Sequence, residues 1–413
     1  MKPAPTSLIH GALICLLALI GVAAADVLVR DLQAATTTLV SVNSAGTGSG
    51  NGYSNDPVLS PDGRYVAFRS GASDLVAGDA NGTYDVFVRD LQAGTTTLVS
   101  VNSAGTGSGN QDSFAPVLSA DGRYVFFGSR ASDLVAGDAN GTADVFVRDL
   151  QAGTTTLVSV ASDGTGSGNG SSYEPFPGQS LSADGRYVAF ESDASDLVAG
   201  DTNGTWDVFV RDLQAGTTTL VSAARLIVAE TAASGTGSGN GDSYAPAVSA
   251  DGRYVAFFSW ASDLVKGDTN NRADVFVRDL QAGTTRLVSW RTACLDCPSG
   301  SGNDDSYVWY APALSADGRY VAFYSYASDL VGGDTNGTSD VFVHDLQAGT
   351  TTLVSVKSAG AGSGNGYSLD PVLSPDGRYV AFQSGASDLV AGTTATARPT
   401  CSCAICRPGP RRW

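Results

Sequence analysis

SPDGRYVAFRS, residues 60–70, and DVFVRDLQAGTTTLVS, residues 85–100, are the two strings that decide the fold. Each is a β-branched and aromatic run bounded by Gly, Asp and Pro, and no helical periodicity competes. The first string recurs with its Asp at Asp62, Asp121, Asp184, Asp251, Asp317 and Asp376, at intervals of 59 to 67 residues. The second begins at Asp85, Asp144, Asp207, Asp274 and Asp340, with a variant at Asp26. The strings alternate, so one supersecondary unit is repeated along the chain.

Four short strands are predicted per unit, over 57–60, 65–70, 85–90 and 96–101 in the first copy. Four-stranded antiparallel units at a fixed period predict an all-β chain and a β-propeller, with a β-sandwich or β-solenoid as the alternative. Five units are complete, starting at Pro57, Pro116, Gln179, Pro246 and Pro312. A sixth has its first two strands near the C-terminus (371–384) and its last two at the N-terminus (26–42). The expectation is a six-bladed propeller of four-stranded antiparallel blades, closed by these N-terminal and C-terminal half-repeats, which leaves few open sheet edges. Blade six would be shared by 26–43 and 371–392.

The LSPDGRYVAF strings followed by DVFVRDL resemble the WD40-like, PD40-type repeats of the TolB family. The resemblance covers 26–392 and implies the propeller fold. It says little of function, because such propellers serve as periplasmic scaffolds, surface-binding modules and accessory domains of peptidases. No G-x-S-x-G elbow follows the repeats.

Residues 1–25 read as a secretory signal peptide: Lys2, an apolar run from Leu8 to Val22, then Ala23-Ala24-Ala25. A secreted or periplasmic bacterial protein is expected, with no membrane span after cleavage. After Gly392 the repeat gives way to a Cys- and Arg-rich tail. Back-translated from Pro399 and read in the neighbouring frame, that tail spells DVFVRDLQAGTTTL, so 393–413 reads as a frameshifted, disordered segment. Cys401, Cys403 and Cys406 are therefore not taken as a metal cluster.

The 413 residues are 42% hydrophobic and carry a net charge of −17, which excludes sequence-independent nucleic-acid binding. Glu occurs only at Glu174, Glu191 and Glu230, so the acid is nearly all Asp, a turn former. His10 lies in the leader, and His344 fills the slot held by Arg89, Arg148, Arg211 and Arg278. It reads as a repeat variant and not as a catalytic base.

The loops between the second and third strands carry D-x-N-x-T-x-D, oxygen ligands at alternate positions as in calcium loops. The candidate Ca2+ ligands are Asp79, Asn81, Thr83 and Asp85; Asp138, Asn140, Thr142 and Asp144; Asp201, Asn203, Thr205 and Asp207; Asp334, Asn336, Thr338 and Asp340. The competing reading is Asx and Asn-Gly turn chemistry. No cofactor is certain. The GTGSGNG segments have no helix after them to hold a phosphate and read as flexible inter-blade linkers. Cys294 and Cys297 are a candidate disulfide, and Trp290, Trp309 and Tyr310 are either a binding patch or inter-blade packing.

The functional expectation is a monomeric, exported, non-catalytic scaffold for a protein or cell-surface glycan. Its alternatives are a calcium-dependent adhesion or carbohydrate-binding module, and a hydrolase or lyase using Asp and Arg around a central channel.

Overall fold

A computed structural model describes residues 25–173, 179–225, 234–291, 300–307, 312–360 and 362–391. The signal segment, Cys294, Cys297, Trp309, Tyr310 and the tail after 391 lie outside these residues. No helix occurs among them, and so none is long and apolar enough to cross a membrane. The chain divides into two compact units, Met1–Leu157 and Val158–Trp413.

The first unit opens with a half-sheet, Leu28–Asp31 paired with Thr36–Leu39. Two four-stranded antiparallel sheets follow. The first sheet is Ser54–Leu59, Tyr65–Ser70, Asp85–Asp90 and Thr95–Leu98; the second is Ser113–Leu118, Tyr124–Ser129, Asp144–Asp149 and Thr154–Leu157. The second unit holds the third sheet (Ser172–Tyr173, Tyr187–Ser192, Asp207–Asp212, Thr217–Leu220) and the fourth (Ser243–Val248, Tyr254–Ser259, Asp274–Asp279, Thr284–Leu287). In the fifth sheet the first strand is in two pieces, Ser306–Tyr307 and Ala313–Leu314, both on Tyr320–Ser325; Asp340–Asp345 and Thr350–Leu353 complete it. A second half-sheet, Ser368–Leu373 with Val380–Ser384, is the last sheet among the described residues. Five sheets in meander order and two complementary half-sheets are the inventory of a six-bladed β-propeller, and each half is a two-stranded sheet of its own. One element was not expected from the sequence. Ala223–Arg225 pairs with Ser234–Ser238 where a plain linker was read.

The turn chemistry explains why the repeat folds this way. Ser60 Oγ donates to Asp62 at 2.6 Å, while Asp62 accepts the Arg64 N–H and Ser60 Oγ accepts that of Tyr65. Arg64 then reaches across to Asp90 on the third strand at 2.7 Å. Asp90 also accepts the N–H groups of Gln92 and Ala93 in the next turn. One carboxylate thus ties two hairpins, and the Arg64 contact holds it down at about 2. The same pairs recur at Arg123–Asp149, Arg186–Asp212, Arg253–Asp279 and Arg319–Asp345.

The alternation of each strand sends one Phe of the second and one of the third strand to the same face. Phe68 and Phe87 are fully buried with ring centroids 5.7 Å apart, and Phe190–Phe209 and Phe257–Phe276 repeat that geometry. Fully burying a side chain of this size contributes roughly 1.5–3 kcal/mol. In the first unit Val27 and Val40 of the half-sheet join Val66, Phe68 and Phe87 in one core cluster. Successive sheets within a unit meet through close contacts. The turn Gly252 (φ +73) of the fourth sheet lies so near Tyr187 of the third that an added Cβ would overlap the ring.

The Gly-rich segments are not the flexible linkers that their composition predicts. Val101 bridges Ser108, and Asn110 donates through Nδ2 to Ser132 at 3.0 Å while its N–H bonds Asp133. Glycine is needed there for close approach: a Cβ at Gly109 would overlap Leu134 and Ala131.

Candidate binding site

The Asp-rich loops are built as turns. Asn81 Oδ1 accepts the Thr83 N–H at 2.9 Å, an Asx turn. Its Nδ2 donates both to Asp85 (2.8 Å) and to the carbonyl of Gly109 (2.7 Å). Asp85 also accepts from Ser100 Oγ at 2.6 Å, so both of its oxygens are bonded. Asn203–Asp207, Asn270–Asp274 and Asn336–Asp340 repeat the pattern, and Asn140 donates to Asp144 at 2.8 Å. Of the expected ligand set, Asn81 and Asp85 are consumed by these bonds. Asp79 keeps one free oxygen: it is 7% exposed, and its Oδ2 and the Thr83 hydroxyl are buried without a partner. One oxygen of Asp201 and of Asp268, both oxygens of Asp334, and the hydroxyls of Thr205 and Thr338 are in the same condition. Burial pushes Asp85, Asp207 and Asp340 up to about 7 and Asp274 up to about 8. Among the described residues no group of three or more His, Cys, Asp or Glu side chains is placed to hold a metal.

The sheets agree at most positions, and much of their variation falls at one end. In the first sheet that end is the row Ser54–Ser70–Asp85 and the residues on either side of it. Asn55, Arg69 and Tyr84 occupy it there. The corresponding trios are Tyr173, Glu191 and Trp206 in the third sheet, and Tyr244, Phe258 and Ala273 in the fourth. Just past the second strand stand Gly71, Arg130, Asp193, Trp260 and Tyr326 in turn. Much of the variation among the sheets is thus collected on one set of strand ends.

In the second unit these ends carry a chain of aromatic rings. Tyr173 lies 5.7 Å from Trp206, Trp206 lies 6.0 Å from Tyr244, and Tyr244 lies 5.9 Å from Trp260. Phe258 meets Trp260 edge-on at 5.3 Å. Trp260 remains 46% exposed. Burial, with Asp242, Glu191 and Asp193 nearby, pushes the Tyr244 hydroxyl up to about 12. Glu191 itself is pushed up to about 7 by burial. The first-strand bulge explains its position: Ala245 sits at φ +52, and its N–H bonds Glu191 Oε2 at 2.8 Å.

The first unit treats its aromatic rings differently. Arg69 lies over the Tyr84 ring at 4.0 Å, and Arg130 over Phe114 at 5.6 Å. The slots of those arginines hold Glu191 and Asp193 in the third sheet. So where the first unit supplies its own cation–π partner, the third sheet presents carboxylates.

Several solved structures resemble this chain at low sequence identity. They include TolB from Acinetobacter baumannii (15% identity, TM-score 0.36, 79% of this chain and 58% of that one) and an oligogalacturonate lyase in complex with manganese (13%, 0.45, 86% and 78%). The β-propeller domain of the Trilobed protease from Pyrococcus furiosus is a third (11%, 0.43, 80% and 77%). This chain spans less than two thirds of the Acinetobacter TolB chain. No family model matches the sequence, and no curated protein does.

His344 makes with Thr351 (Nδ1 to Oγ1, 2.9 Å) the contact that Arg89 makes with Thr96 (3.0 Å), and burial lowers its basicity. Of Trp290, Trp309 and Tyr310, which read as a binding patch or as inter-blade packing, Trp290 lies among the described residues, half-buried and bridged to Ser301. The aromatic chain on the strand ends was missed. A position-by-position comparison of the repeats carries part of that signal, since Trp206 and Trp260 each stand where no other copy has Trp.

Proposed function

We propose that this chain is an exported, non-catalytic binding scaffold that holds a protein or a surface glycan on the divergent strand ends of the third and fourth sheets. The observation that carries this reading is the chain of rings from Tyr173 to Trp260. It stands where much of the variation among the repeats falls. Aromatic side chains on a rigid scaffold offer a large contact area at low entropic cost. The test is direct binding of purified cell-surface polysaccharide and of surface-exposed proteins to the mature chain and to Tyr244→Ala/Trp260→Ala. Loss of a bound partner at unchanged melting temperature supports the scaffold. Undiminished binding by the double variant sinks it.

A second reading is a calcium-dependent module. The buried, unpartnered oxygens of Asp79, Asp201, Asp268 and Asp334 favour it, because such groups are costly unless something satisfies them. Melting after chelation, with and without millimolar calcium, decides the point. A rise of several degrees restored by calcium and not magnesium supports ion sites; no shift leaves the loops as turns.

A further inference from the structure

A cavity of about 340 Å³ opens in the second unit between the outer strand of the fourth sheet and the third strand of the fifth. Its lining includes Lys266, Arg286, Trp290 and His344. Each of these is a departure from the repeat. Lys266 stands where other copies have Ala77, Ala136, Ala199 and Gly332, and Arg286 where they have Thr97, Thr156, Thr219 and Thr352. Trp290 replaces Val101, Val160 and Val356, and His344 replaces the arginines named above. Four singular residues in one chain of near-copies converge on one hollow.

We infer that this cavity binds a small anion carried on a ring with an apolar C–H face, of the size and chemistry of an acidic monosaccharide. Lys266 and Arg286 are both exposed, and among the described residues neither forms an ion pair. Arg286 is positioned by one bond, from Nη1 to the carbonyl of Leu346 at 3.3 Å, which leaves the rest of its fork free for an oxyanion. The nearest carboxylate acting on His344, Asp345, is already held by Arg319 at 2.6 Å. His344 is 8% exposed and spends Nδ1 on Thr351, so Nε2 is its remaining polar atom. Trp290 supplies the flat face; a Cβ at Gly267 would lie 3.2 Å from the edge of its ring, so the missing side chain there leaves room for the indole. Val265 and Leu287 add apolar wall. In a chain with net charge −17 an uncompensated pair of cations beside an indole is the arrangement that recognises negative charge. The volume is near the lower end of small-molecule pockets, roughly 300–1,000 Å³, which sets the ligand at about one sugar ring. This site is separate from the aromatic strand ends and does not rest on their role.

Calorimetric titration of the mature protein at low salt with glucuronate, glucose 6-sulfate, glucose and inorganic sulfate tests the inference. The variants restore what the other repeats carry, Lys266→Ala/Arg286→Thr and Trp290→Val, so the fold already accommodates each residue. Glucuronate or glucose 6-sulfate is expected to bind at least tenfold tighter than glucose. The charge reversion should lose at least tenfold, and Trp290→Val should lose affinity for the sugars while leaving inorganic sulfate unchanged. Whichever of the two acidic sugars binds tighter identifies the anion as carboxylate or sulfate. Equal affinity for glucose and both acidic sugars, binding that survives the charge reversion, or inorganic sulfate binding as tightly as either sugar overturns the inference.

Discussion

Glu191 of the third sheet accepts a hydrogen bond from the backbone N–H of Ala245 in the fourth, at 2.8 Å, and so joins two sheets through a bulge. Removing the acceptor leaves that N–H unsatisfied, a loss of about 1–3 kcal/mol. Glu191→Ala should therefore unfold at lower urea than the parent, and Glu191→Gln, which keeps an acceptor oxygen, should recover most of the difference. Equal midpoints for the two variants would remove the bond from the account.

The titration of the carboxylates gives an acidic stability optimum. Asp85, Asp207, Asp274 and Asp340 have raised folded-state values of about 7 to 8, so the folded chain holds protons that the unfolded chain has released. Their contribution is complete below about 4 and is lost as pH rises toward 7–8. Asp90, Asp149 and Asp212 are depressed to about 2, and their contribution is lost as pH falls from about 4 toward 2. Melting temperature is expected to peak near pH 4–5 and to fall by several degrees by pH 8. A profile that rises steadily to pH 8 would contradict the burial of these groups.

Two glycines separate conformation from crowding. Gly82 (φ +70) has open space around it, whereas Gly252 (φ +73) faces the Tyr187 ring. Gly82→Ala should cost about 1 kcal/mol, the price of an Ala in the left-handed region. Gly252→Ala adds an overlap with the aromatic ring, and its loss in a denaturant series should be clearly larger. Similar losses would mean that the Tyr187 contact is soft.

The N-terminal half-sheet contributes Val27 and Val40 to the core of the first sheet. A chain starting after residue 43 should melt several degrees lower, because Val66 and Phe68 lose part of their cover. The closure expected from the repeat pattern adds a second readout: amide exchange in Val380–Ser384 should quicken in the same truncation. Unchanged exchange there would confine the N-terminal strands to their own sheet.

Much of the fold was legible because the repeats vote. Tyr65–Ser70 and Asp85–Asp90 were bounded correctly, since a turn residue stands at each end of both. The first strand was placed three residues late: its start, Ser54 to Asp56, is polar, and its bulge breaks the alternation. The Gly-rich joints misled through composition, which reports backbone freedom and not the side chains of Leu134 or Ala131 that fill the space. At the Asp loops the sequence offered oxygens at ligand spacing; only the geometry shows Asn81 and Asp85 spent on each other and on Gly109. The rings from Tyr173 to Trp260 come from separate repeats and become neighbours only through packing.

The Gly–Tyr joint recurs at Gly122 on Tyr65, Gly252 on Tyr187, Gly318 on Tyr254 and Gly377 on Tyr320. Because these four joints have the same two halves, a gene that loses or duplicates one whole unit between them creates no new kind of junction. Copy number can drift without a misfit, and a cut made out of phase with the unit cannot.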